Sequence, residues 1–233
     1  MTDFKKGLKD GIPIALGYIS VSFTFGLQAV NGDMIWWEAV LVSLTNLTSA
    51  GQFAGLEIML RGGGFWIEMV CTQLIINMRY ALMSISLSQK TDESVSGIHR
   101  FLTGFGITDE IFAVSMGNEK PVSNKYLYGV IILPVLGWTS GTFLGAVAGQ
   151  VLPQVVISAL SLAIYGMFIA IIIPPAKKNK AVLKVIIISV ALSCAFKWIP
   201  VLSEVSSGFV IIICTVIASV IGAILFPVKE DTE

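Results

Sequence analysis

From Tyr126 to Ala176 the chain contains no Asp, Glu, Lys, Arg or His. That run is too long for a single membrane crossing, because a helix of about 20 residues spans a bilayer. Two helices must fit there, turning near Leu152-Pro153-Gln154. Over the whole chain 55% of residues are hydrophobic, 13% are charged, and the mean hydropathy is +0.84. This predicts an all-α polytopic membrane protein, since in lipid a helix satisfies its own backbone polar groups. The formal net charge is zero, so nothing points to nucleic acid.

Apolar segments fall at roughly 11–31, 36–60, 65–88, 101–117, 127–151, 155–174, 182–202 and 206–226, which predicts about eight transmembrane segments, some short or broken. Gly11 to Asn31 follows Lys5, Lys6 and Lys9 as a signal peptide would. It is nevertheless of span length and lacks a small-x-small cleavage site, so it is expected to be the first retained helix. Lys177, Lys178, Lys180 and Lys184 mark a second basic loop, and the excess of Lys and Arg in cytoplasmic loops puts both basic segments inside. The N- and C-termini are then cytoplasmic, in the cell membrane, and the number of crossings between the two basic segments is even.

Segments 36–60 and 101–117 are the doubtful ones. Either both cross, giving six passes before the second basic loop, or both are re-entrant, giving four. The six-pass arrangement is preferred, with Arg61, Lys120 and Lys125 inside and Lys90 and Arg100 outside. A weak internal repeat supports it. Pro13-Ile14-Ala15-Leu16-Gly17-Tyr18 resembles Pro134-Val135-Leu136-Gly137-Trp138, and Ser49 to Phe53 resembles Ile164 to Phe168. These matches predict one transmembrane domain over 1–233 with possible four-plus-four halves, 11–117 and 126–226, arranged as parallel repeats.

The polar residues inside apolar segments carry the chemistry. Ser43 to Leu60 holds Thr45, Thr48, Ser49 and Gln52 at helical spacing, with Gly51 and Gly55 nearby. A polar stripe in hydrocarbon must face protein or water, which suggests a partly broken helix lining a substrate path. In the third segment Gln73, Asn77, Tyr80 and Ser84 share a face beside Arg79. A charge at that depth costs about 3 kcal/mol on insertion scales, so Arg79 must be paired or wet. It is a tie between helices, half of an ion pair coupled to transport, or a contact for a substrate carboxylate. Its counter-ions are Asp109 and Glu110, which point about 100° apart on a helix, so at most one of them shares its cavity. The other is expected at a second lumen or a partner interface. The bland alternative makes 101–117 an amphipathic surface helix.

Glu38, Glu57 and Glu68 lie near segment ends and read as interfacial, while Pro13, Pro134 and Pro200 read as kinks. The single histidine, His99, reads as a loop residue. Cys71, Cys194 and Cys214 lie in apolar runs without metal-ligand or disulfide spacing, and the Asn46-Leu47-Thr48 sequon is out of reach of glycosylation. No phosphate-binding GxxxxGK[ST] loop, HExxH motif or Ser/His arrangement is present, so no enzymatic activity, cofactor or metal is expected.

Four stretches in order, Gly11-Ile12-Pro13 to Gly26, Ser43 to Leu56 with Ala50-Gly51-Gln52-Phe53-Ala54, Ile75 to Ser84 around Asn77-Met78-Arg79-Tyr80, and Thr108-Asp109-Glu110, resemble the AzlC-type large subunit of bacterial branched-chain amino acid exporters. The resemblance is densest before Pro134. Met78 stands where that family usually has leucine.

The resemblance implies export of valine, leucine, isoleucine and also methionine by a secondary transporter working with a small AzlD-type membrane subunit. Joined to the polar residues, it makes Thr45, Ser49, Gly51, Gln52, Phe53, Asn77, Tyr80 and Tyr18 the substrate-binding candidates, with Phe23 as a further wall. Asp109, Glu110 and Arg79 become the coupling candidates, with protons as the driving ion. The alternatives are a transporter or passive channel for another small metabolite, and a non-transporting scaffold.

Overall fold

The computed structural model describes residues 2–62, 66–151 and 179–227, together with 153, 155, 169, 172, 173, 176 and 177. The described residues form helices α1 (Asp3–Asn31), α2 (Trp36–Thr45), α3 (Ala50–Leu60), α4 (Trp66–Lys90), α5 (Ile98–Phe105), α6 (Asp109–Met116), α7 (Asn124–Val151), α8 (Lys180–Trp198) and α9 (Ser207–Leu225). Among them α1, α4, α7, α8 and α9 are long and apolar enough to cross a membrane. Met1–Leu56 with Asn77–Ile164 makes one compact unit, and Glu57–Ile76 with Tyr165–Glu233 makes another. These units cut across the expected halves 11–117 and 126–226.

The first unit is built on α1 and α7, which lie side by side in the same direction. Small residues let the backbones touch: Gly11 meets Val130, Gly137 meets Ala15 and Gly141 meets Ile19. Residue numbers rise together along both helices, so the pair is parallel. Pro13 and Pro134 each lie inside their helix. The second match, at 164–168, lies outside the described residues.

Neither doubtful segment is one continuous helix, and this corrects the six-pass preference. α2 ends at Thr45 because Asn46 turns extended and its Oδ1 accepts hydrogen bonds from the Thr48 N–H at 2.9 Å and hydroxyl at 2.7 Å. The sequon thus serves as a turn whose asparagine side chain replaces the helical ladder. Ser49 follows in the left-handed region at φ 47°. A residue with a β-carbon is held there at a cost of about 1–3 kcal/mol. α3 then runs back: Leu47 packs with Ile14, Tyr18 and Trp138, whereas Phe53 and Leu56 pack with Phe25, Ala29 and Ala39. The segment enters from the α1 C-terminal end, reaches the level of Tyr18 near the middle of α1, and returns.

Segment 101–117 does the same from the other end. α5 and α6 have 8 residues each, about 12 Å at 1.5 Å per residue, against a hydrocarbon core of about 30 Å. They meet at Gly106-Ile107-Thr108, where Gly106 lies against the Ile131 side chain and Thr108 caps α6 by accepting from the Ile111 N–H. On the entering side, the Asp92 N–H donates to the Val122 carbonyl at 3.0 Å and the Val122 N–H to the Lys90 carbonyl at 2.9 Å. Lys90 and Lys125 therefore share an end of this unit, where six passes would have separated them. α4 runs opposite to α7, with Tyr80 reaching the Thr48 carbonyl at mid-level and Lys90 at the α7 N-terminus.

In the second unit α8 and α9 form an antiparallel pair, with Gly222 against Val185 and Lys184 over the Phe226 ring. Glu68 is 3% exposed, held by Arg61 at 2.6 Å and by the Gly208 N–H at 2.9 Å. That corrects its expected interfacial position. Its buried charge is compensated by a guanidinium and by the N-terminal end of α9, which favours an anion.

Candidate functional site at the meeting of two helix hairpins

The tips of the two hairpins converge on Tyr18. From the α5/α6 tip, Glu110 Oε2 accepts the Tyr18 hydroxyl at 2.5 Å, and Thr108 Oγ1 lies 2.6 Å from the same oxygen. The next residue, Asp109, forms an ion pair with Arg79 at 2.6 Å. The two carboxylates diverge as helical geometry demands, one to each neighbour. The expectation that the second acid would face a separate lumen or a partner is replaced by a contact with α1.

From Tyr18 the contacts continue to the other hairpin. Its ring meets Trp138 edge-on, with centroids 5.2 Å apart. Trp138 Nε1 donates to Gln52 Oε1 at 2.9 Å, Gln52 Nε2 donates to Ser43 Oγ at 2.6 Å, and Ser43 shares a 2.6 Å hydrogen bond with Thr142. Ser43 and Thr142 are fully buried and Gln52 is 1% exposed. A polar cluster so deep persists only when its members satisfy one another. A second connection runs alongside: the Arg79 guanidinium donates to the Tyr80 hydroxyl at 3.2 Å, and that hydroxyl donates to the Thr48 carbonyl at 3.4 Å. Arg79 thus bridges Asp109 on one tip and, through Tyr80, the chain break on the other.

Most of the expected site residues gather here, with changed partners. Tyr18, Gln52, Tyr80, Arg79, Asp109 and Glu110 are joined by the contacts above. Ser49 and Gly51 lie at the break and the first turn of α3, where the Gly51 N–H donates to the Thr48 carbonyl. Asn77 lies two residues before Arg79 and about one helical turn before Tyr80 on α4. Phe53 packs edge-on against Phe25 at 5.5 Å.

Thr45 is a correction. Its hydroxyl returns to the Leu41 carbonyl at 2.8 Å and the residue is exposed. The stripe Thr45, Thr48, Ser49, Gln52 assumed helical spacing from 45 through 52, and the expected break falls at 46–49, inside it, which rotates Thr45 away from Gln52. Ser43, Thr108, Trp138 and Thr142 were not singled out as site residues. Trp138 carried a signal, since a tryptophan in a charge-free span needs an acceptor for its N–H. Ser43 and Thr142 carried none.

Chemically, the site combines a carboxylate–guanidinium pair, a carboxylate–phenol pair and a helix N-terminus at a chain break. The Arg79 and Asp109 side chains are 43% and 46% exposed, so this pair is open to its surroundings while Gln52 is closed off. No group of three or more His, Cys, Asp or Glu that could hold a metal occurs among the described residues.

A family model described as AzlC protein matches residues 13–152, which contain every residue of this site. A membrane protein of Archaeoglobus fulgidus is 32% identical over 176 residues, covering 75% of this chain and 76% of that protein. The inner membrane protein YgaZ of Escherichia coli is 28% identical over 185 residues, covering 76% and 75%. A membrane protein of Helicobacter pylori is 24% identical over 157 residues, covering 64% and 68%. No solved structure matches the chain.

Proposed function

Because the chain belongs to the AzlC family of membrane transport proteins, we propose that it is a secondary-active exporter of branched-chain amino acids, and of methionine. It works across the cytoplasmic membrane with a small AzlD-type subunit and with both termini inside. Its eight apolar segments are then six crossings and two re-entrant hairpins within one transporter domain.

The observation that carries this reading is the double connection between the hairpin tips, Asp109–Arg79–Tyr80–Thr48 and Glu110–Tyr18–Trp138–Gln52. A helix N-terminus inside a membrane protein is suited to an anionic substrate group, and irregular backbone at that depth belongs where it lines a path. The substrate carboxylate meets the N-terminal end of α3 near Gly51 through the helix dipole, since the Gly51 N–H is already donated to the Thr48 carbonyl. The ammonium takes acceptors from Ser49 and Asn77, and the apolar side chain lies against Tyr18, Tyr80 and Phe53. Gln52 braces this turn from behind.

Protonation of Asp109 releases Arg79 and with it the hold on Tyr80 and Thr48. A proton entering one tip thereby loosens the substrate-bearing tip, and the proton gradient drives export. The test is leucine efflux from proteoliposomes holding the chain and its small partner. Asp109→Asn lowers gradient-driven net efflux by at least about tenfold, equivalent to ~1.4 kcal/mol, and leaves leucine–leucine counterflow in place. Unchanged net efflux refutes the coupling role of Asp109. Wild-type efflux that ignores the proton gradient favours a passive channel.

A further inference from the structure

A second place in the molecule has the chemistry of an amino acid site. It lies wholly within the second unit, at the corner where α8 gives way to α9, as a cavity of about 390 Å³. That volume is within the roughly 300–1,000 Å³ usual for small-molecule sites. Glu57 of α3 lines one part, Ser193, Phe196 and Lys197 of the last turns of α8 another, and Ser207 and Val210 of α9 a third.

A lysine in the last turn of a helix is explained by the helix dipole alone. The dipole does not explain an acid brought to the same cavity from another helix. Among the described residues the ion pairs are Arg61–Glu68 and Arg79–Asp109, and neither Glu57 nor Lys197 belongs to one. Both are exposed, so each keeps its charge available to a third party. The same cavity is lined by the Ser193, Ser203 and Ser207 hydroxyls, the Phe196 ring and the Val210 side chain. One cation, one anion and an apolar wall in a single small cavity are the complement of a free zwitterion with an apolar side chain. α8 begins at Lys180, next to the basic segment expected to be cytoplasmic, and the cavity lies at its other end. It therefore opens on the outer side.

We propose that this cavity is an outward-facing binding site for a free apolar amino acid, separate from the path between the hairpin tips. Lys197 holds the carboxylate, Glu57 the ammonium, and Phe196 and Val210 the side chain. The inference rests on the reading that the chain handles apolar amino acids.

The test is equilibrium binding of radiolabelled L-leucine to the full-length protein in nanodiscs. Competition uses isoamylamine, which lacks the carboxylate, and 4-methylpentanoate, which lacks the ammonium. The expected result is two leucines per chain, with Lys197→Met and Glu57→Gln each weakening one of them at least about tenfold. Lys197→Met should leave isoamylamine competition at that site unchanged, and Glu57→Gln should leave 4-methylpentanoate competition unchanged. If all three ligands weaken together in either variant, the residues act only through structure and the inference is overturned. A single leucine per chain that neither substitution moves also overturns it, while leaving the proposed export function standing. A wild-type protein that binds no leucine overturns both.

Discussion

Gln52 uses both ends of its amide inside the protein, accepting from Trp138 and donating to Ser43. A buried donor that loses its acceptor keeps its desolvation cost, about 1–3 kcal/mol, whereas removing both partners together costs less. Gln52→Leu strands the Trp138 N–H, while Ser43 retains Thr142. The variant should be destabilised by about 1–3 kcal/mol, and adding Trp138→Phe should restore part of that loss. Thermal unfolding of the purified proteins in one detergent decides it, and a double variant no better than the single would show that the indole N–H is not the group at stake. At this scale the sequence was informative wherever a charge had to be paired. Arg79 in an apolar run demanded a counter-ion, and Asp109 supplied it. It was silent about Ser43 and Thr142, because two small hydroxyls 99 positions apart carry no sign that they meet. It misled at Thr45, because helical spacing holds only while the helix continues.

Among the elements, α1 and α7 depend on backbone contact, and two glycines separate that requirement from mere glycine content. A β-carbon at Gly137 would lie 2.6 Å from the Ala15 carbonyl oxygen and 3.1 Å from its Cα, with backbone on both sides and nothing flexible to yield. Gly17 has nothing within 4 Å of the same position. Gly137→Ala should therefore push the helices apart at a cost of about 1–3 kcal/mol. Gly17→Ala should be neutral or stabilise α1 by up to about 1 kcal/mol. Melting temperatures of the two variants give the comparison, and equal shifts would mean that α1 and α7 are not in contact at Ala15. Apolar length located the long helices. A break within 36–60 was expected from the polar residues of 43–60, but its position, and the break within 101–117, were harder to find. An Asx turn at Asn46, a left-handed Ser49 and a Thr108 cap are local side-chain choices within apolar composition, so hydropathy averaged over a window passes over them.

For the molecule as a whole, parity links the two doubtful segments: both cross or neither does. Two re-entrant hairpins also change where the basic residues stand. Six passes put Lys90 and Arg100 outside, against the usual bias. With both segments re-entrant, Lys90 and the α5 start join Lys5, Lys6, Lys9, Lys120 and Lys125 at one end, because Ser94 Oγ accepts from the Asn124 N–H at 2.9 Å and Lys6 bonds to Asn118. The result agrees better with the excess of positive charge in cytoplasmic loops. It also predicts a labelling pattern. In a background with Cys71, Cys194 and Cys214 replaced by alanine, single cysteines at Ser96, Glu119 and Asp33 are treated with a membrane-impermeant maleimide in intact cells and in inverted vesicles. Ser96→Cys and Glu119→Cys should both react only in inverted vesicles, and Asp33→Cys, at the far end of α1, only in intact cells. If Ser96→Cys reacts from outside together with Asp33→Cys, segment 36–60 crosses fully and the six-pass arrangement returns. The Asp109–Arg79 and Glu110–Tyr18 contacts would then have to form within a crossing helix. Two short helices of 8 residues each, about 12 Å long, are the wrong length for that, and it is this length that makes the hairpin the stronger solution.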